Sequence, residues 1–378
     1  MKIAAVICEY NPFHNGHKYQ IDMARKKTGC DAVVGLMSGN FVQRGDFAIF
    51  DKGFRASAAL LCGVDLVIEN PATFVLRSAE GYASAAVKTL SSFGCIDYLF
   101  FGAEHECLED LQRIADFLAE ENAEFKKRLS QYMSEGLSFA KARSNATADI
   151  LGKEAERILA QPNNLLAIEY LKAIRKQNSD LEPVLIQRVN ADHHATTPNG
   201  TFASASYIRE EILKGNNDAL NLVPKEAEEE YLIRKPFSSF DAEKAIISAI
   251  CLMPKEKLIL TPDINEGLEN KIKDAVMNCK TLDEVQDNVK SKRYAYSRVR
   301  RAILCAYLGI TKEDALLSPK YIKVLSFNDV GQKVLNMAKK TAELPIAKNA
   351  RAILKDEEAM SIWRRELEFD RIYEILKK

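Results

Sequence analysis

Several function classes are excluded by what the sequence has little of. Its eight cysteines, at positions 8, 30, 62, 95, 107, 251, 279 and 305, form no Cys-x-x-Cys pair. Neither a clustered zinc site nor a disulfide framework is indicated. Five of them (Cys8, Cys30, Cys62, Cys95, Cys251) lie in or beside apolar runs, and the set reads as buried or inert thiols in a reducing compartment. No apolar run approaches the roughly 18 residues that a membrane span needs. The first apolar stretch, Ile3–Cys8, ends at Glu9 and is too short for the core of a signal peptide. No repeat and no low-complexity tract is visible. Charge of one sign does not dominate, with 53 Lys and Arg against 53 Asp and Glu. The expectation is a cytoplasmic protein with no membrane attachment and no evident obligate protein partner.

The 378 residues are 47% apolar, enough for a real core and for two domains. The zero net charge divides by position. Residues 241–378 hold 26 basic and 21 acidic side chains (+5), and residues 1–240 hold 27 and 32 (−5). A basic C-terminal part is a cue for nucleic acid. The first hundred residues alternate apolar runs (Ile3–Cys8, Ala32–Met37, Val64–Glu69, Tyr98–Phe101) with helix-length stretches (Gly16–Thr28, Lys52–Cys62, Ser78–Ser92) that stop at Gly29, Gly63 and Gly94. Continuous apolar strands alternating with helices indicate parallel βαβ units, an α/β class. Residues 107–178 read as helical, and Val184–Ile186 returns a strand. Ser204 or Ser206 can cap a helix that ends at Gly215. The polar stretch Asn216–Phe240 reads as a boundary, placing a first domain at 1–225 with a helical insertion around 107–178, and a mainly helical basic domain at 226–378. Phe369, Ile372, Tyr373 and Leu376 fall on one face of a terminal helix.

Two of only five histidines stand in Asn11-Pro12-Phe13-His14-Asn15-Gly16-His17, where the first strand gives way to the first helix. That is the ligand-binding position of an open parallel sheet. A helix N-terminus offers free N–H groups and a positive dipole end to phosphate, Gly16 permits close approach, and two imidazoles can donate to a phosphate under attack. A chance pair of turn histidines is the bland alternative.

A first strand ending in His-x-Gly-His, with a later Ser-rich helix start at Ser204-Ala205-Ser206-Tyr207-Ile208-Arg209, resembles the HxGH nucleotidyltransferase superfamily and implies a Rossmann-like ATP-binding domain. The departures from its second signature are Ala205 and Tyr207. The segments Val6–Gln20, Met37–Gly45, Gly63–Glu69, Phe100–Glu104 and Gln161–Asn164 together look like the bacterial tRNA(Met) cytidine acetate ligases. That resemblance implies ATP-dependent activation of acetate to acetyl-adenylate with release of pyrophosphate. The acetyl group then passes to N4 of the wobble cytidine of elongator tRNA(Met), with Mg²⁺ on the triphosphate and no resident metal site. It also places ATP contacts on Ile7, Cys8, Glu9, Tyr10, Asn11, Pro12, Phe13, His14, Asn15, Gly16, His17, Lys18, Tyr19 and Gln20, on Gly102, Asn163, Arg188 and Val189, and on Ser204 and Ser206 for the β- and γ-phosphates. Gly102 ends a strand run and is otherwise a turn glycine. Asn163 precedes a helix, and Asn164 is an equal candidate. Arg188 ends a strand and is otherwise a surface ion-pair residue.

The connection Ser38–Arg55 is long for a strand-to-helix loop, and such loops tend to be functional. Arg44 can hold acetate or phosphate, Asp46 or Asp51 can orient Mg²⁺, and Lys52 or Arg55 can reach the triphosphate. His14, His17, Arg44 and Asp46 are the catalytic candidates. His193 and His194 can pair with His105 or Cys107 around a metal, although their spacing does not favour it. Residues 290–301 hold six basic side chains, two tyrosines and no acid. Lys290, Lys292, Arg293, Tyr294, Arg298, Arg300 and Arg301 are therefore the RNA-binding candidates, since charge with aromatic faces suits phosphates and unpaired bases. Two other classes stay open: a small-molecule adenylyltransferase of the same superfamily, and a non-catalytic nucleotide- or RNA-binding protein.

Overall fold

The computed structural model describes residues 1–188, 202–265, 267–291 and 294–377, with no side-chain description for 239–241. Its strands are β1 (Ile3–Cys8), β2 (Ala32–Ser38), β3 (Phe41–Val42), β4 (Asp46–Phe47), β5 (Leu66–Asn70), β6 (Tyr98–Ala103), β7 (Glu182–Gln187), β8 (Ile322–Phe327) and β9 (Ile346–Ala347). Seven form one sheet in the order β7-β6-β1-β2-β5-β8-β9, and β3 and β4 form a separate hairpin. β7, β6, β1, β2 and β5 are mutually parallel. From β1 the chain builds outward through β2 and β5, then crosses to β6 and β7 on the other side. The order therefore reverses at β1, and the carboxyl end of the strands at such a switch point is where open parallel sheets bind ligands.

The central strands are largely apolar because both faces of the sheet are covered. Ile3, Ala5, Leu36, Ile68, Leu99 and Phe101 pack with Tyr82, Leu90, Ile168 and Leu171 from the helices Ala79–Ser91 and Pro162–Lys176. Ala4, Val6, Val33, Val67 and Phe100 pack with Ile21, Ala24 and Phe54 from the helices Asn15–Thr28 and Lys52–Leu61. Helix starts follow local chemistry: the Asp51 carboxylate accepts from Phe54 N at 2.9 Å, and the Ser78 hydroxyl accepts from Gly81 N at 3.3 Å. Residues 107–178 are helical, from Leu108–Glu120 to Pro162–Lys176.

The C-terminal part is not helical to its end. β8 lies antiparallel on β5, with Leu66 opposite Phe327 and Glu69 opposite Lys323, and β9 lies parallel on β8. One strand of six residues and another of two, at the sheet edge, leave little periodicity to read against long helices on either side. The Asn216–Phe240 stretch holds the 3-10 segment Asn217–Leu222 and the helix Lys225–Ile233. This helix buries only Ala227 and Tyr231, which enter the core beside Phe50 and Phe54. The Tyr231 hydroxyl accepts from Phe13 N at 3.1 Å, so it braces the turn before His14. The terminal helix Glu357–Leu376 buries Phe369 and Tyr373 as its spacing requires, and Tyr373 donates to Ala48 O at 2.8 Å. No helix among the described residues is long and apolar enough to cross a membrane.

Candidate active site

His14 is the N-cap of the helix Asn15–Thr28. Its Nδ1 accepts from Gly16 N at 3.1 Å, and His17 Nδ1 accepts from His14 N at 3.3 Å, a reciprocal capping box made of two imidazoles. The rings stack with centroids 3.8 Å apart, and Tyr10 and Phe13 press on His17. A ring nitrogen that accepts an N–H carries no proton, so each neutral ring holds its proton on Nε2. Burial, with the Arg188 and Arg209 charges, pushes His14 down to about 3. Burial, with His14 and Arg188, holds His17 well below its usual range. The pair therefore offers two fixed N–H donors at a helix N-terminus.

Around the turn, Cys8, Tyr10 and Phe13 are core side chains, and Ile7 packs against the opposite face. Glu9 accepts from Gln43 N at 2.7 Å, and Asn11 Oδ1 accepts from Ile49 N at 2.9 Å. Asn15 Nδ2 donates to Asn221 O at 3.4 Å, Lys18 pairs with Glu226 at 3.2 Å, and Tyr19 meets Phe202 edge-on. Much of Ile7–Gln20 thus shapes the crevice from behind.

On the β6 side, a Cβ on Gly102 would lie 3.3 Å from Arg188 Cγ and 3.5 Å from Gln20 Nε2, which puts these three residues together at the carboxyl end of the sheet. Glu104 ties down the start of the helix Pro162–Lys176. It accepts from Asn163 Nδ2, and from Asn164 N at 2.9 Å. Asn164 is buried, and its Oδ1 accepts from Glu104 N at 2.9 Å and His105 N at 2.8 Å, while its Nδ2 donates to Ile158 O at 3.2 Å. Both ends of the Asn164 amide are occupied, leaving Asn163 as the nucleotide candidate of the two. Ser204 caps the helix Ala205–Leu213 by accepting from Tyr207 N at 3.2 Å, and its oxygen is 3.4 Å from Ser206 Oγ. From that helix Arg209 donates to Asn11 O at 2.7 Å, reaching the turn itself.

The loop after β2 departs from expectation at four charged residues, Arg55, Lys52, Asp51 and Asp46. Arg55 is fully buried: its Nε donates to Phe50 O at 2.9 Å and its Nη2 to Ser38 O at 3.1 Å, and it also bonds Glu9 O and Gly39 O. It closes backbone carbonyls and does not reach for phosphate. Lys52 binds Glu69 at 2.6 Å and Asp370 at 2.5 Å, and Glu69 is shared with Lys323 at 2.5 Å. Asp51 is used by its helix cap and by Lys377 at 2.9 Å. Asp46 pairs with Arg300 at 2.5 Å. The two aspartates read as Mg²⁺ ligands are thus occupied, and they do not fit a metal site. Arg44, at the β3–β4 turn, adds its charge to those around Arg188 and Arg209.

The basic segment is partly internal. Tyr294 is buried with Lys271 and Arg298 over its ring, each 5.4 Å from the centroid. Arg298 donates to Asp263 O at 2.9 Å, and buried Arg301 pairs with Asp263 at 3.0 Å. Lys290 is exposed, and Arg300 is half-exposed beside Tyr296. Val189, His193, His194, Lys292 and Arg293 lie outside the described residues. His105, Cys107 and Asp110 bring potential ligand atoms within 4.8 Å of one another, but His105 is already bonded to Asp110 at 2.9 Å and Cys107 to Glu109 at 3.2 Å.

The HIGH Nucleotidyl Transferase family profile matches residues 1–378. A tRNA(Met) cytidine acetate ligase of Thermoanaerobacter sp. (strain X514) is 39% identical over 357 residues, covering 92% of this chain and 88% of the relative. One from Clostridium botulinum (strain Okra / Type B1) is 40% identical over 364 residues, with the same shares. The chain belongs to the tRNA(Met) cytidine acetate ligase family. Among solved structures, apo TmcAL of Thermotoga maritima superposes with a TM-score of 0.94 at 30% identity, over 100% of this chain and 95% of that one. The same protein bound with alpha-thio ATP gives a TM-score of 0.92.

One further residue at this turn is not marked by its motif alone. Arg209 lies in the second turn of the helix Ala205–Leu213, and its guanidinium reaches the turn before His14 through Asn11 O. The signal that could have found it is a basic residue in the first turns of a Ser-capped helix, where a cation opposes the dipole unless an anion or carbonyl receives it.

Proposed function

We propose that this chain joins acetate to the wobble cytidine of elongator tRNA(Met) at the expense of ATP, in the cytoplasm. The observation that carries the reading is the two-histidine capping box with Arg188 and Arg209 converging on it, in a chain related to the ligases over nearly its whole length. ATP lies across the β1 carboxyl end, with its adenosine towards Gly102 and Asn163 and its phosphates on the N-terminus of the helix Asn15–Thr28. An acetate oxygen attacks the α-phosphorus, the bond to the β-phosphate bridging oxygen breaks, and pyrophosphate leaves with the electron pair. His14 and His17 donate Nε2–H groups to the charge that grows on the phosphate oxygens, while Arg188 and Arg209 complement the leaving group. The neutrality of the two imidazoles suits this role, since a donor that stays neutral near pH 7 needs no proton transfer. Ser204 and Ser206 stand ready for the terminal phosphates.

In the second step the cytidine N4 attacks the acetyl carbon, AMP leaves with the electron pair, and the N4 proton passes to solvent. Positioning carries this step, and no covalent enzyme intermediate is required. Mg²⁺ bound as the counter-ion of the triphosphate would be held mainly by phosphate oxygens and would lower the charge on them. The RNA lies against the exposed side of the basic segment, with Lys290, at the end of the helix Leu282–Val289, and Arg300, on the helix Tyr296–Leu308, on phosphate. Tyr294, Arg298 and Arg301 build the surface that presents them. The test is ATP–pyrophosphate exchange with a panel of acids. Exchange supported by acetate, and not by nicotinate mononucleotide or pantetheine phosphate, is expected; exchange that ignores acetate would overturn the reading.

A further inference from the structure

The β3–β4 hairpin stands between the crevice and the basic helix, and it is fastened to both. On the crevice side, Gln43 N donates to Glu9 at 2.7 Å, at the carboxyl end of β1. On the other side, its tip lies on the backbone of the helix Tyr296–Leu308. Gly45 has φ +80°, and a Cβ there would fall 2.5 Å from Arg301 N and 2.7 Å from Arg300 C. Only glycine fits this conformation and this approach. Next to it, Asp46 Oδ2 is 2.5 Å from Arg300 Nη2, and Asp46 Oδ1 accepts from its neighbour Phe47 N at 2.9 Å, which fixes the carboxylate. Phe41 and Phe47 anchor the hairpin in the apolar cluster that also holds Val299 and Ile303. Arg209, bonded to the His14 turn, feels the charges of Asp46, Arg44 and Arg300 together.

From this arrangement we propose that the Asp46–Arg300 pair is a positioning contact for acetyl transfer, setting the RNA-bearing helix against the crevice in which the adenylate forms. The inference rests on the functional reading above. Adenylate formation needs only ATP and acetate in the crevice. Transfer also needs a nucleobase delivered from the basic helix, so it depends on how the two surfaces are held. A half-exposed ion pair adds little to folding, yet a misplacement of about 1 Å can cost about a hundredfold in rate. Asp46 is therefore a positioning residue, reaching the reaction through the hairpin and Arg300.

The experiment compares Asp46→Asn, Asp46→Glu and the charge exchange Asp46→Arg with Arg300→Asp. Three quantities are read: acetate-dependent pyrophosphate exchange, single-turnover transfer from preformed adenylate to saturating tRNA, and tRNA affinity by filter binding. Asp46→Asn is expected to lower transfer relative to exchange by at least about tenfold. Asp46→Glu, which keeps the charge, is expected to recover most of that loss, and the charge exchange part of it. An unchanged ratio of transfer to exchange would overturn the proposal, as would a loss confined to tRNA affinity. If Asp46→Asn fails to fold, Asp46→Ser is read in its place, and an unchanged ratio of transfer to exchange there overturns the proposal. Absence of acetate-dependent exchange in the unaltered protein would instead sink the functional reading, so the two failures are distinguishable.

Discussion

Replacing His17 with alanine separates what its ring does for the helix from what it does for the reaction. The substitution removes the acceptor of His14 N (3.3 Å), a ring stacked at 3.8 Å on His14, and edge contacts with Tyr10 and Phe13. Losing one cap interaction costs about 1 kcal/mol, and losing half-buried ring area costs about another 1 kcal/mol. The helix keeps its other cap, His14 Nδ1 on Gly16 N, and its buried Ile21 and Ala24. A loss of about 2 kcal/mol leaves most domains folded. The reaction loses one of two donors aimed at developing charge, which costs about 2.7–4 kcal/mol, or about 10²–10³ in rate. Initial rates of acetate-dependent pyrophosphate exchange at saturating ATP and acetate, with a thermal melt on the same samples, test this. His17→Asn supplies a short acceptor for the cap, so it should recover stability but not rate. Exchange within about threefold of the unaltered protein would remove His17 from the mechanism.

Three further outcomes follow from the same geometry. Gly102→Val places methyl groups where Arg188 Cγ and Gln20 Nε2 lie, at 3.3 and 3.5 Å from a Cβ. Both neighbours are flexible, so the melting temperature should hold while the KM for ATP rises; an unchanged KM would move the nucleotide away from Gly102. Asn164→Ala strips three buried hydrogen bonds and should cost about 2–3 kcal/mol in urea unfolding. Asn163→Ala removes one part-buried bond to Glu104, so it should cost less, about 1 kcal/mol, and weaken ATP binding; the reverse pattern would exchange their roles. Because His14 sits at about 3 when folded against an ordinary 6.5, the unfolded chain takes up the proton first. Its contribution to stability is complete above pH 6.5 and falls as pH drops towards 3, by at most about 1.4 kcal/mol per pH unit. The exchange rate should show no limb near pH 6–7 from the histidine pair, and an NMR titration near 6 assigned to the His14 or His17 imidazole would contradict this.

Legibility of the site in the sequence tracked how local each signal is. The His14–His17 turn was readable because strand, cap, glycine and helix follow one another within a few residues. The parallel arrangement of β1, β2, β5 and β6 was readable because each is a largely apolar run alternating with a helix-length stretch; their order in the sheet was not. β8 was not, since its pairing partner β5 is more than 250 residues away and its burial differs between its two halves. Arg55 misled because charge near a candidate site suggests a ligand contact. Instead, its guanidinium closes carbonyls of Glu9, Ser38, Gly39 and Phe50 that no strand partner takes. The choice between Asn163 and Asn164 needed Glu104, which only folding brings to them. The basic segment read as one surface, yet Asp263 draws Arg298 and Arg301 inward. Composition counts charges without showing which ones have internal partners.

The central claim is that ATP, acetate and an RNA base meet in the crevice at β1. Incubation of the protein with ATP, isotopically labelled acetate and elongator tRNA(Met), followed by nuclease digestion and nucleoside mass spectrometry, tests it most directly. The account predicts label in N4-acetylcytidine at the wobble position, with AMP and pyrophosphate formed and no need for acetyl-CoA. Acetylation that requires acetyl-CoA, or ATP consumption with no label in any nucleoside, would contradict it.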